Sequence, residues 1–311
     1  MKTIFAKYNR ERLPQFQTVT KIVELKDGSR KVFKQALNIK ASGHIAEVFS
    51  NYTRLTDKYP HIKLVKPVLE NDLTVSFPIV QGVSLDKLLK QALDNQDKEI
   101  LLALLNKFIS YVDSFVDERQ VKFVPCEKFK IVFGDWQSKE LQDTISLANI
   151  DLIFSNLFLN EDETIAQIDY EWVFEFAIPV KLVLFRSLAT LLNRLSNNII
   201  LSGYREEIIE FFGISMSEIS EYTDNESQFY KYVYGSEKKY FLNNNVLKFK
   251  TSIFEELQSK DQELQSKDQE LQNKDQELNS LLNSKSWRLT SPLRKILYFF
   301  NSKKEWKDRC F

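Results

Sequence analysis

A chain of 311 residues, 43% hydrophobic and 28% charged, can bury a sizeable core in one large domain or two modest ones. Its formal net charge of zero argues against a general nucleic-acid binder, so no nucleic-acid partner is expected. Cys126 and Cys310 lie far apart and outside any metal-ligand spacing, which excludes a disulfide framework and suits a reducing compartment.

The opening segment, MKTIFAKYNRERLP, is charged within its first ten residues and has no apolar signal core. No run approaches the roughly 18 apolar residues of a spanning helix. The expectation is a cytoplasmic protein, with any contact to the inner face of the membrane peripheral. TVTKIVEL (18–25) alternates like a half-buried strand. Lys26-Asp27-Gly28-Ser29 then offers an Asp-Gly hairpin turn, and RKVFKQA (30–36) returns. SGHIAEVFSNYTRLTDKY (42–59) has helical apolar spacing behind a Ser-Gly start, and two more strands are expected near 62–69 and 73–80. His44 and His61 have no companions suited to zinc or to a Ser-His-Asp arrangement, and are read as packing or surface residues.

From Ser84 the pattern turns helical: SLDKLLKQAL behind a Ser cap, then the strongly apolar KEILLALLNKFISYVDSF (98–115). Strands interrupt at 149–172, and helices resume with PVKLVLFRSLATLLNRL (179–195) and REEIIEFF (205–212). Residues 257–284 repeat every seven positions, with Leu257, Leu264, Leu271 and Leu278 forming a stripe. A homo-oligomeric coiled coil is expected there, with a lone charged helix as the alternative. The tail, 285–311, can place Trp287, Leu293, Ile296, Leu297 and Phe300 on one face and basic residues on the other. It suits a membrane surface or a partner protein equally well.

The segment NIDLIFSNLFLNEDETIAQIDYEW (149–172) carries the chemistry. Asp151, Asn156 and Asp169 punctuate an apolar stretch in which an uncompensated carboxylate costs several kcal/mol. An acid to take a hydroxyl proton, plus an amide and a second acid to hold magnesium, is the set that phosphoryl transfer needs.

DLIFSN resembles the D-x-x-x-x-N catalytic loop of the protein-kinase-like superfamily, and IDYEW resembles its metal-binding D-F-G position. The flavour is that of the aminoglycoside-phosphotransferase-like branch. The resemblance implies Asp151 as catalytic base, with Asn156 and Asp169 as magnesium ligands and ATP as phosphoryl donor. KVFKQA resembles V-A-I-K, which implies Lys34 as the phosphate-pairing lysine with Glu47 on the following helix as its acid. FPIVQGVSLDKLL resembles the interlobe linker, which implies that backbone at Pro78, Ile79 and Val80 faces an adenine edge. This chain departs from the pattern in having Asn149-Ile150 before the base and Tyr170-Glu171 after the metal acid. It also lacks the G-x-G-x-x-G loop, whose place is taken by KYNRERLPQFQ (7–17) with Lys7, Arg10 and Arg12.

The implied fold is α+β and bilobal: a β-rich N-lobe with linker over 1–82, a helical C-lobe over 83–240, a coiled-coil helix over 250–284 and a basic aromatic tail over 285–311. This order resembles WbdD-type O-antigen chain-terminator proteins, from which lipopolysaccharide biosynthesis follows as the expected setting. The acceptor would be a sugar hydroxyl at the non-reducing end of a glycan or lipid-linked oligosaccharide, with a glycosyltransferase or polymerase as partner. A catalytically inactive scaffold for such enzymes and a small-molecule phosphotransferase are the alternatives. A glycosyltransferase is a weaker one, since the chain has no Asp-x-Asp motif.

Overall fold

In the computed structural model, the structure describes residues 1–194, 199–235 and, further on, 266, 267, 269–274, 276, 280 and 290. The chain divides into two units, Met1–Leu247 and Lys248–Phe311. Strands β1 (Lys2–Tyr8), β2 (Thr18–Glu24) and β3 (Arg30–Ala36) open the first unit. The β2–β3 hairpin is fixed by its turn. Asp27 Oδ1 accepts from Ser29 N at 3.0 Å and Ser29 Oγ at 2.7 Å, and Gly28 takes the left-handed φ of 82° that the turn requires.

Helix α1 (Ser42–Lys58) follows, then β4 (Lys63–Leu64), β5 (Val68–Asn71) and β6 (Thr74–Pro78). The single strand expected near 62–69 is thus two, separated at Pro67, which has no N–H to give a ladder. β4 pairs with a later strand, while β5 joins an antiparallel five-stranded sheet of order β1-β2-β3-β6-β5. Ile45 and Val48 of α1 pack on this sheet with Ala36, Ala41 and Val75 as a small core.

β7 (Val83–Ser84) leads into α2 (Leu85–Asp94) and α3 (Lys98–Asp113). Ser84 makes no side-chain cap bond; its backbone pairs with Phe158 instead. Then come β8 (Glu118–Lys122), α4 (Glu127–Phe133), β9 (Leu141–Ile145), β10 (Ala148–Asn149), β11 (Leu157–Leu159), β12 (Ile165–Gln167), β13 (Val173–Phe174) and β14 (Ile178–Pro179). Helices α5 (Val180–Arg194), α6 (Ile199–Phe211) and α7 (Met216–Tyr234) complete the unit. A large core runs through α2, α3, α5 and α7, with Leu89, Leu105, Phe108, Leu188 and Tyr222 among its members.

The sheet β4-β12-β11-β7 positions the site. It fastens residues just past the linker to the strands flanking Asn156 and Asp169. Gly82 allows this close approach: with φ of 91°, it would place a Cβ 2.4 Å from the Leu159 carbonyl oxygen.

Of the heptad segment, residues 266, 267, 269–274, 276 and 280 are helical, and Leu271 is exposed. The rest of 250–284, and the tail at 285–311 apart from Thr290, lie outside the described residues. Among the described residues no helix is long and apolar enough to cross a membrane.

Candidate active site

Asp151 stands in the turn between β10 and β11, where every neighbour is tethered. Asn149 Oδ1 accepts from the Asp151 N–H at 3.0 Å, and Asn156 Nδ2 donates to the Asp151 carbonyl at 3.1 Å. Ser187 of α5 donates to the Leu152 carbonyl. Asn156 therefore spends its amide nitrogen on the turn and keeps Oδ1 as a free acceptor atom among the described residues.

Asp169 follows β12 with a left-handed φ of 53°, an uncommon conformation outside glycine that Asp tolerates better than most. Both sides of it are clamped. The Ile168 N–H donates to the Asn156 carbonyl at 2.9 Å, and Asn51 Nδ2 of α1 donates to the Tyr170 carbonyl at 2.9 Å. Tyr170 donates its hydroxyl to the Val65 carbonyl at 2.7 Å. The aromatic after the metal-type acid is thus a buried anchor.

Lys34 Nζ reaches across to both acids of this loop, 2.5 Å from Asp169 Oδ1 and 2.5 Å from Glu171 Oε2. Burial pulls the ammonium down, but Asp169 and Glu171 outweigh it and hold Lys34 above its usual range. Glu171 also accepts from Arg12 Nη2 at 2.8 Å and lies 3.7 Å from His44 Nε2. Burial pushes its carboxyl up, yet Lys34 and Arg12 keep it well below the ordinary carboxylate range. Asp151 behaves oppositely. Burial pushes it up to about 7, with Arg186 opposing and Asp169 and Glu171 adding to the rise.

Glu47 is not the partner of Lys34. His44, Ile45, Val48, Asn51 and Leu55 occupy the inner stripe of α1, which turns Glu47 to solvent with its side chain 66% exposed. Glu171 supplies the acid instead. The sequence signal was present in a carboxylate inside the aromatic run DYEWVF, although Glu171 reads there only as a departure from Phe-Gly. His44 is buried among Phe16 and Trp172, and His61 is exposed.

An apolar cleft of about 270 Å³ is lined in part by Lys34 and Asp169. Thr20, Ile22 and Val32 of the sheet wall one side, Phe158 and Ile168 line it as well, and Pro78, Ile79 and Val80 form its edge. The structure thus brings Lys34, Asp169 and the linker residues to one cavity. It gathers carboxylate oxygens of Asp151, Asp169 and Glu171 within 4.8 Å of one another beside that cavity. A carboxylate such as Asp169 and an amide oxygen such as Asn156 Oδ1 are hard donors of the kind magnesium takes. Arg186 and Glu226 are the charged residues near Asp151 that sequence reasoning missed: Arg186 Nη2 lies 3.3 Å from Asp151 Oδ1, and its Nη1 lies 2.6 Å from Glu226 Oε2.

No protein-family model and no curated protein matches the sequence. Among solved structures the chain is similar to an aminoglycoside phosphotransferase from Streptomyces rimosus, at 12% identity over 68% of this chain and 89% of that one, with a TM-score of 0.43. It is also similar to a macrolide 2'-phosphotransferase from Brachybacterium faecium (10% identity, 73% and 86% covered, TM-score 0.34). A choline kinase from Streptococcus pneumoniae gives 13% identity, 77% and 90% coverage and a TM-score of 0.36. The likeness is loose.

Proposed function

We propose that this protein is an ATP- and magnesium-dependent phosphotransferase acting on a sugar hydroxyl, at the non-reducing end of a bacterial surface polysaccharide. What supports the phosphotransferase reading is one juxtaposition: a buried lysine and an acid of a three-carboxylate cluster in the lining of one apolar cleft. The polysaccharide setting is supported by the resemblance of the order of lobes, heptads and basic tail to O-antigen chain-terminator proteins.

In this reading the backbone at Pro78, Ile79 and Val80 would face the edge of the adenine and Lys34 would pair with the phosphates. Asp169 and Asn156 Oδ1 would hold the magnesium, which supplies charge neutralisation on the triphosphate when bound. The acceptor oxygen attacks the terminal phosphorus as the bond to the bridging oxygen of ADP breaks. Asp151 accepts the hydroxyl proton, and a base poised near neutrality is well matched to that task. Arg186 fixes the orientation of its carboxylate.

The scaffold alternative draws on one observation. Arg12 of the segment replacing the glycine loop is already tied to Glu171 and lies over the Trp172 ring, 5.6 Å from its centroid. Transfer of labelled phosphate from ATP to hexose-ended acceptors separates the readings. The enzyme should label the acceptor, and Asp169→Ala should lower the rate by about a hundredfold or more. Equal labelling by the variant, or none by wild type across a panel of glycans, would reject the enzyme.

A further inference from the structure

Opposed residues of an antiparallel ladder carry their side chains on one face of the sheet. In the five-stranded sheet, Thr20 of β2 stands opposite Lys34 of β3, and Ile22 stands opposite Val32. All four line the apolar cleft, so these two cross-strand rows belong to its wall. Each row continues one strand further, into β1: Lys7 stands opposite Thr20, and Phe5 opposite Ile22. The register shift of β1 falls between Thr3 and Phe5 and leaves both pairings intact. The fold therefore carries Lys7 on the cleft face, in the row of Lys34 and two strands away from it, about 10 Å between Cα atoms at ordinary strand spacing.

The segment standing in place of a glycine loop offers three cations, and the structure separates them. Arg12 is committed to Glu171 at 2.8 Å and lies over the Trp172 ring. The Arg10 guanidinium lies 4.6 Å from the centre of the Tyr8 ring. Tyr8 follows Lys7 in the strand and stands opposite Val19, so it belongs to the other face of the sheet. Lys7 is exposed, and its side chain has no hydrogen bond, ion pair or ring contact among the described residues. Lys34, by contrast, is held by Asp169 and Glu171 together. A phosphate tail entering beside those acids meets like charge, which an unmatched ammonium on the same wall offsets. The loop itself has no glycine through which backbone amides could approach the tail.

We infer that Lys7 binds the phosphate tail of the nucleotide, taking by side chain the part that a glycine loop takes by backbone. The inference rests on the reading of the cleft as a nucleotide site, and it gives this part to Lys7 rather than to Arg10.

Calorimetric titration of the full chain with MgATP and with adenosine tests it on wild type, Lys7→Met, Lys7→Arg and Arg10→Met. Lys7 is exposed, so its variants keep the fold, which the thermal midpoint without nucleotide checks. Lys7→Met should weaken MgATP about fivefold, the worth of one exposed ionic contact. Lys7→Arg, which keeps the charge, and Arg10→Met should each stay within about twofold of wild type. Adenosine, which has no phosphates, should behave alike with wild type and Lys7→Met. Unchanged MgATP affinity in Lys7→Met overturns the inference, as does an equal loss in Arg10→Met or a loss that adenosine shares. With MgATP still bound by wild type, each of these outcomes removes the inference alone. No MgATP binding by wild type removes the nucleotide reading and the inference with it.

Discussion

Lys34 shows how a single side chain can join two halves of a site. With a side chain only 7% exposed, it tolerates burial because Asp169 and Glu171 both meet it. Lys34→Met leaves Asp169 to solvent and Glu171 to Arg12 and His44. It should cost about 1–3 kcal/mol in urea unfolding. The double variant Lys34→Met/Glu171→Leu should lose less than the sum of the two single losses, because the two side chains are paired; an additive loss would contradict the pairing. Asp151 gives the opposite sign with pH. Its folded-state pKa, pushed to about 7, lies above the unfolded value of 3.8, so the ionised form is the destabilising one. The associated stability is fully present below the unfolded value and is lost as pH rises through about 7. Asp151→Asn cannot ionise, so it should gain on wild type as pH rises from about 4 to about 7 in thermal unfolding without ligand. Parallel curves would contradict this. Asp151, Asn156 and Asp169 were legible because a polar side chain in an apolar strand region demands a partner. Arg186 and Glu226 were not, since a charge on an amphipathic helix usually reads as a solvated face and only the fold shows it facing inward.

Among the elements, the connection between β1 and β2 explains the missing glycines. It does not behave as a bare backbone cradle. The Leu13 N–H donates to the Val233 carbonyl at the end of α7, and Phe16 packs against Trp172 and Tyr232 at ring distances of 5.0 and 5.4 Å. A loop that anchors through side chains needs Leu and Phe where a phosphate-hugging loop needs Gly. Phe16→Ala, at a half-buried position, should lower stability by about 2 kcal/mol and expose residues 9–17 to limited proteolysis. An unchanged midpoint and cleavage pattern would mean that the anchor carries no weight. The β2–β3 hairpin and α1 were readable from turn chemistry and period. Helix α7 was overlooked although Ser215 and Glu218 form a capping box, a local signal available in the sequence. The two-residue strands β10, β13 and β14 had no such signal, because their pairing comes from tertiary contact alone.

At the scale of the whole molecule, the small core beneath the five-stranded sheet and the large helical core do not merge into one. Phe77 packs against both, and polar links join them as well: Lys34 to Glu171, Asn51 to the Tyr170 carbonyl, and Arg54 to Glu175 at 2.8 Å. A cleft bordered by such bonds keeps its acids close together without filling the space between. The most direct test is calorimetric titration of ATP into the full chain with magnesium, and again with excess chelator. The account predicts binding that falls about tenfold or more without magnesium, and that falls likewise in Asp169→Asn with magnesium present. Equal affinity in all three titrations, or no heat in any, would contradict it.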